Sequence, residues 1–386
     1  MRQPNKHGSG GEGHPLLATV LVVLLVVGLG VAWFQARSRV DRQGDQAAGK
    51  CVEGPATIPI IASPDIAEVL GEIAKRYNAT RPVVRDHCVT VSVRPSDSKV
   101  VLEGLRGTWD TESMGPHPVA WIPQSSLWAA ELTTGKPNAV EGSPDSLASS
   151  PVVLAMRSEF ADNAAGKLAW SDLPGLAKRP NAMADFGLPT WGPLRLAMPV
   201  GVAADATVLS AQAIAAGVSR TSGPLTAAQA ESRPVADGIK AVLDAAPTTP
   251  EGAAAPAAVA ISRADPRRGM HAVPITEQQL YLLARTGAVD TSMRAFFPSG
   301  ATPVADYPVL RLADDKVSAA QSDGVVDFVD FVKMPAQAAL LTGLGFRTER
   351  AQPSMGNSAV SFPAVRDPLA RPEAAASAAI TKLVFR

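Results

Sequence analysis

Thr57-Ile58-Pro59-Ile60-Ile61-Ala62, followed at once by Ser63-Pro64-Asp65-Ile66-Ala67, reads as a buried strand running straight into a helix. Ser63 is an N-cap residue type, Pro64 suits the first helical position, and Asp65 stands at the positive end of the helix dipole. Beyond them Ile66, Val69, Leu70, Ile73, Ala74 and Tyr77 repeat with helical period on one face. Two further units follow. Cys88–Val93 alternates as a strand before a helix over Ser98–Leu105. Pro118–Pro123 is a third strand, ending in Gln124-Ser125-Ser126 before a helix over Leu127–Leu132. Three strand–helix units in a row predict an α/β fold with a parallel sheet and helices on its faces.

Upstream, the 19 residues Leu16–Phe34 carry no charge. At about 1.5 Å per residue they match a hydrocarbon core of roughly 30 Å. The run exceeds the roughly 7–15 residues of a signal-peptide core, although Gly30-Val31-Ala32 resembles a cleavage site. The reading is a tail over 1–15, a single-pass anchor over 16–36 and a tether over 37–50. Flanking charges do not orient it, since Arg2 and Lys6 precede the span and Arg37, Arg39 and Arg42 follow. Cys51 and Cys88 do bear on orientation. Both fall where neighbouring strands should start, about 5 Å apart, so a disulfide is expected; two unrelated buried thiols are the alternative. A bridge implies an oxidising, extracytoplasmic location for the body and a cell-membrane protein with its tail in the cytoplasm.

Lys plus Arg and Asp plus Glu both number 36 in 386 residues, giving zero formal charge. No basic field exists to attract nucleic acid. The histidines, at positions 7, 14, 87, 117 and 271, show no ligand spacing, so neither a metal site nor a cofactor is expected. A Gly-x-Ser-x-Gly elbow, a phosphate loop and a His-Glu-x-x-His helix are all missing. The expectation is a binding protein, not an enzyme, with no catalytic residues.

Further along, Val152–Met156 and Leu194–Met198 read as strands, Asp205–Ala216 and Ala227–Ala245 as helices, and 246–258 as a low-complexity loop. His271–Ile275 leads into a helix over Glu277–Arg285. Tyr307–Leu312 is a strand, and Ser318–Gly343 a long helix bent at Pro335. The tail, 348–386, should be extended as far as Pro368. From Pro372 it should form a short amphipathic helix with Ala376, Ala379, Ile380, Leu383 and Val384 on one face. A helix this short is marginal alone and needs a surface.

Taken in order, Ala62-Ser63-Pro64-Asp65-Ile66-Ala67, Trp121–Trp128, Ala148–Ala155, Val273–Gln279, Phe297-Pro298-Ser299-Gly300 with Asp306-Tyr307-Pro308, and Gly343–Arg347 resemble the type II extracytoplasmic solute-binding proteins. The match is with an actinobacterial membrane-anchored branch that often carries a von Willebrand factor A domain. The Asp-x-Ser-x-Ser signature of that domain does not occur in this chain, and Asp290-Thr291-Ser292 does not supply it. The resemblance implies a bilobal Venus-flytrap body over 51–347. Lobe one would take 51–150 and 276–347 and lobe two 151–275, with crossings near Ser149–Met156 and His271–Ile275. It further implies a small polar or anionic solute held between the lobes, and a transporter or envelope protein as partner. An interaction module using the same fold is the alternative.

The cleft candidates are Ser63, Ser96, Ser125, Ser126, Ser149, Ser150, Trp191 and Glu277. Each has a plainer structural reading. The serines and Glu277 could cap helices or sit at the hinge, Trp191 could pack between layers, and Asp65 could serve only the helix dipole. One arm of the implied site is blunted, because the turn Pro199–Asp205 offers no hydroxyl until Thr207.

Overall fold

In the computed structural model, which describes residues 51–385, the quoted stretch becomes β1 (Pro55–Ala62) and α1 (Pro64–Ala79). The anticipated stripe of α1 is its buried face. The anchor and tether fall outside the described residues, and no helix among those described is long and apolar enough to cross a membrane. β2 (Val83–Val84), β3 (His87–Pro95), α2 (Ser98–Arg106), β4 (Ala120–Ile122) and α3 (Leu127–Gly135) follow. β3, β1 and β4 are parallel neighbours. With β2, β5 (Asp145–Ser146) and β10 (Pro308–Arg311) they complete a six-stranded sheet of order β2-β3-β1-β4-β10-β5.

A second sheet is built on β6 (Ser150–Arg157), which pairs antiparallel with β7 (Ala272–Thr276), β8 (Met293–Phe296) and β9 (Val304–Ala305). Around it lie α4 (Asp205–Ser219), α5 (Arg233–Ala245), α6 (Ala254–Arg263) and α7 (Glu277–Arg285). Residues 277–296, given to lobe one by the sequence reading, thus add α7 and β8 to the second sheet. The chain returns to the first sheet between β8 and β10, later than His271–Ile275, because β7 lies beside β6 along its whole length. α8 (Ala319–Val332) and α9 (Pro335–Gly343) then cover β1 and α1, and α10 (Ala374–Val384) closes the described chain.

Several local expectations change. The 318–343 helix is broken, not bent: Met334 is extended (φ −64°, ψ 145°) and starts α9 as its N-cap, as a residue before proline prefers. Ala227–Ala245 splits likewise, with Ser232 extended two residues before Pro234. Conversely, α6 extends into the supposed loop from Ala254. Alanine favours helix, and Pro256 sits in the first turn, where no N–H is needed. Leu194–Met198 makes a single bridge, Leu196 to Ala272, instead of a regular strand.

Cys51 and Cys88 form a disulfide with Cα atoms 5.0 Å apart. Cys51 lies in the turn before β1 and not in the strand, while Cys88 pairs with Pro55 inside the sheet.

Candidate functional site

β1, β3 and β4 end level with one another: Ala62 is opposite Pro95 on one side and Ile122 on the other. The residues that leave these ends are therefore gathered at one edge. The Ser63 N–H donates to the Ile122 carbonyl (2.8 Å) and the Ser96 N–H to that of Ala62 (3.0 Å). Ser63 is buried, yet its hydroxyl caps no N–H of α1.

Asp65 is the centre of this edge. Its Oδ2 accepts from Gln124 Nε2 at 2.7 Å and from the Tyr307 hydroxyl. Tyr307 is fully buried and held edge-on to Phe346. Opposite, from the second sheet's side, Asp205 opens α4 and accepts a hydrogen bond from Trp128 Nε1 of α3. Asp205 is only 4% exposed. Burial pushes its carboxyl up to about 7; the Trp128 hydrogen bond opposes this, while the charges of Asp65 and Asp97 add to it. Asp97 is also raised, first by burial and then by Asp65. Burial, then Asp65, hold the Tyr307 hydroxyl firmly protonated. The site is thus a set of mutually repelling carboxylates beside neutral donors, an environment that favours a proton or cation and opposes an anion. Among the described residues no three His, Cys, Asp or Glu side chains are placed to hold a metal ion.

Beside this cluster a cavity of about 200 Å³ opens between α3 and α4, lined by Ser125, Ser126, Gln212, Asp306, Arg371 and Ser377 among others. It is smaller than the roughly 300–1,000 Å³ of most ligand pockets. The N-terminus of α3 is already satisfied: Ser125 Oγ accepts from the Leu127 N–H (3.3 Å), and Asp306 Oδ1 from the Ser126 N–H (2.7 Å).

Of the expected residues, Ser63, Ser96, Ser125 and Ser126 therefore come to the strand-end edge or its cavity. Ser149, Ser150 and Glu277 meet instead at the seam between the sheets. Ser149 and Arg347 exchange backbone hydrogen bonds of 2.7 and 2.9 Å. Ser150 Oγ accepts from the Gln278 N–H at 3.0 Å, and Glu277, fully buried, pairs with Arg347 at 2.6 Å. Burial raises the Glu277 carboxyl, with the charge and hydrogen bonds of Arg347 acting the other way. Trp191, expected at the cleft, is 4% exposed and packs in the second unit's core, 5.1 Å from the His271 ring.

Asp205, Gln124 and Tyr307 were not among the expected residues, whereas Asp97 stands in the Ser96-Asp97-Ser98 turn read as a helix cap or cleft element. Asp205 carried a readable signal, as an acid opening a helix otherwise built mostly of alanine and aliphatic residues. It occupies the arm of the site where the missing hydroxyl was anticipated.

Comparison with known proteins agrees with this architecture. The fold is that of the α/β periplasmic-binding-type proteins. A ferric binding protein from Campylobacter jejuni superposes with a TM-score of 0.58 at 12% identity, over 85% of this chain and 98% of that one. A Trichodesmium protein (IdiA, FutA) solved with iron and citrate ligands does so with a TM-score of 0.56 at 10% identity, over 85% and 98%. The chain belongs to the bacterial extracellular solute-binding protein family, whose profile matches residues 58–347. An uncharacterized protein of Mycobacterium tuberculosis is 34% identical over 91% of this chain and 50% of its own length. The chain thus spans about half the length of the curated relatives it matches.

Proposed function

We propose that the protein is a membrane-anchored, extracytoplasmic solute receptor. It would hold a small polar solute with a cationic group between its two sheets, and pass it to a transporter or report its presence. The observation that carries this reading is the hydrogen-bonded group of Asp65, Gln124 and Tyr307 at the first sheet's edge, which lies within electrostatic reach of Asp205 from the second unit. Uncharged donors and acceptors would orient the solute, while the carboxylates would select against anions. This narrows the polar-or-anionic expectation to its polar half. The iron bound by structural neighbours does not transfer here, because their likeness is one of fold. The disulfide supports an oxidising compartment, and the uncharged run 16–34 supports the anchor.

A second reading, a protein-interaction module of the cell envelope, has one observation in its favour: the cavity between α3 and α4 is walled on one side by the chain's own last helix and the strap before it. A thermal-shift screen of the full chain in detergent, against amines, amino acids, sugars, oxyanions and short peptides, separates the two. A receptor is stabilised by about 2.7 kcal/mol at a hundredfold excess over Kd. No stabilisation across the panel, with a protein recovered by cross-linking at this face, would favour the module.

A further inference from the structure

We propose that residues 365–385 form a latch that holds the two α/β units together and must let go of the first unit before α3 and α4 can separate. α10 packs on α3 of the first unit and on α4, α5 and the short helix Ala227–Ala230 of the second. Its buried face is Ala376, Ser377, Ile380 and Val384. No motion that separates α3 from α4 can preserve both sets of contacts.

The two attachments differ in kind. On the second unit they are directional. Gln212 Nε2 donates to Ser377 Oγ (3.0 Å, buried), the Glu373 N–H to the Leu225 carbonyl (3.0 Å), and the Ala227 N–H to Glu373 Oε2 (3.1 Å). The preceding strap is pinned beside the crossing strands. The Thr302 N–H donates to the Asp367 carbonyl (2.7 Å), the Leu369 N–H to that of Thr302 (2.7 Å), and Arg371 pairs with Asp306 at 2.9 Å. Towards the first unit α10 itself makes a contact of rings and apolar surface, while Arg371 of the strap reaches α3 only through Asp306, which also accepts from the Ser126 N–H. Phe385 lies 6.4 Å from the Trp128 ring, with Lys99 Nζ 4.3 Å above it. Pulling α10 from the second unit would leave buried Gln212 and Ser377 without hydrogen-bond partners, a cost that parting the apolar contact with the first unit does not carry. The first-unit side therefore parts first, and α10 travels with the second unit. Trp128 is the same residue that reaches Asp205, so release of Phe385 also frees the side chain that closes the carboxylate cluster.

The test needs no solute and so stands apart from the receptor reading. Spin labels are placed through Lys75→Cys and Arg233→Cys, two exposed positions on opposite units, in the full chain in detergent. Both native cysteines are in the disulfide and take no label. Electron–electron distances are compared with those in the same chain carrying Phe385→Ala, and with a chain ending at residue 364. The latch predicts one narrow distribution for the parent, and a longer, broader one for both variants. Hydrogen exchange should show 374–384 still protected in Phe385→Ala. Unchanged distances in Phe385→Ala, with rapid exchange in the Trp128 helix proving that the contact was lost, overturn the latch. That comparison decides the matter even if the shortened chain fails to fold.

Discussion

At the scale of single residues, the buried groups set how the protein responds to mutation and pH. Glu277 and Arg347 are both nearly inaccessible, so removing one leaves the other uncompensated. Arg347→Met should destabilise by about 3–5 kcal/mol, and adding Glu277→Gln should recover a good part of that; urea unfolding of the single and double variants measures the difference. Two further groups pull stability in opposite directions with pH. Asp205 titrates near 7 when folded against the usual 3.8, so its contribution is full below pH 3.8 and is lost as pH rises through 7. His271 titrates near 4 against the usual 6.5, chiefly through burial and then the Arg195 charge. Its contribution is present above pH 6.5 and is lost as pH falls through 4. Between these limits the two offset each other. Asp205→Asn should therefore steepen the loss of stability on acidification from pH 6.5 to 4, and His271→Gln should flatten it. Melting curves in that window check both, and parallel profiles for all three proteins would rule the assignment out.

At the scale of elements, most of the fold was legible because local signals and packing agreed. The Ile66–Tyr77 stripe, the strand end at Ala62 and the helix at 277–285 all appear where their patterns put them. Legibility failed where proline and alanine acted in context. Pro335 ends a helix that apolar periodicity alone would continue, and the alanines from 254 help form one despite Pro256. Ser63, Ser96, Ser125 and Ser126 were legible as residues at or next to helix starts on one edge of the sheet. The hydrogen bonds and burial of Asp205 and Tyr307 were not legible, because they depend on elements far away in sequence. Gly324 shows how tightly α8 sits on β1: a Cβ there would stand 2.3 Å from Ile58 Cδ1 and 3.6 Å from Val89 Cγ1. Gly324→Leu should cost about 1–3 kcal/mol by overpacking, while the better helix propensity of alanine offsets much of the strain in Gly324→Ala. The disulfide closes a separation of 37 residues, so its removal by Cys51→Ser with Cys88→Ser should cost about 3–4 kcal/mol in the chain-entropy description. Denaturation with and without reductant gives the same quantity independently.

For the whole molecule, the meeting of the two units at a buried polar cluster follows from topology. Parallel strands deliver their following residues to one edge, and the antiparallel second sheet presents the start of α4 across from it. The last helix then occupies the space that remains. The central claim is that Asp65 and Asp205 belong to a solute site between the sheets. Its most direct test is calorimetric titration of the full chain, and of Asp65→Asn and Asp205→Asn, with the polar solute that most stabilises the parent. Loss of one charged hydrogen-bond partner should weaken binding by about 10- to 100-fold in each variant, corresponding to roughly 1.5–3 kcal/mol. Unchanged affinity in both variants, or tight binding of an oxyanion that tolerates both substitutions, would place the site elsewhere and contradict the account.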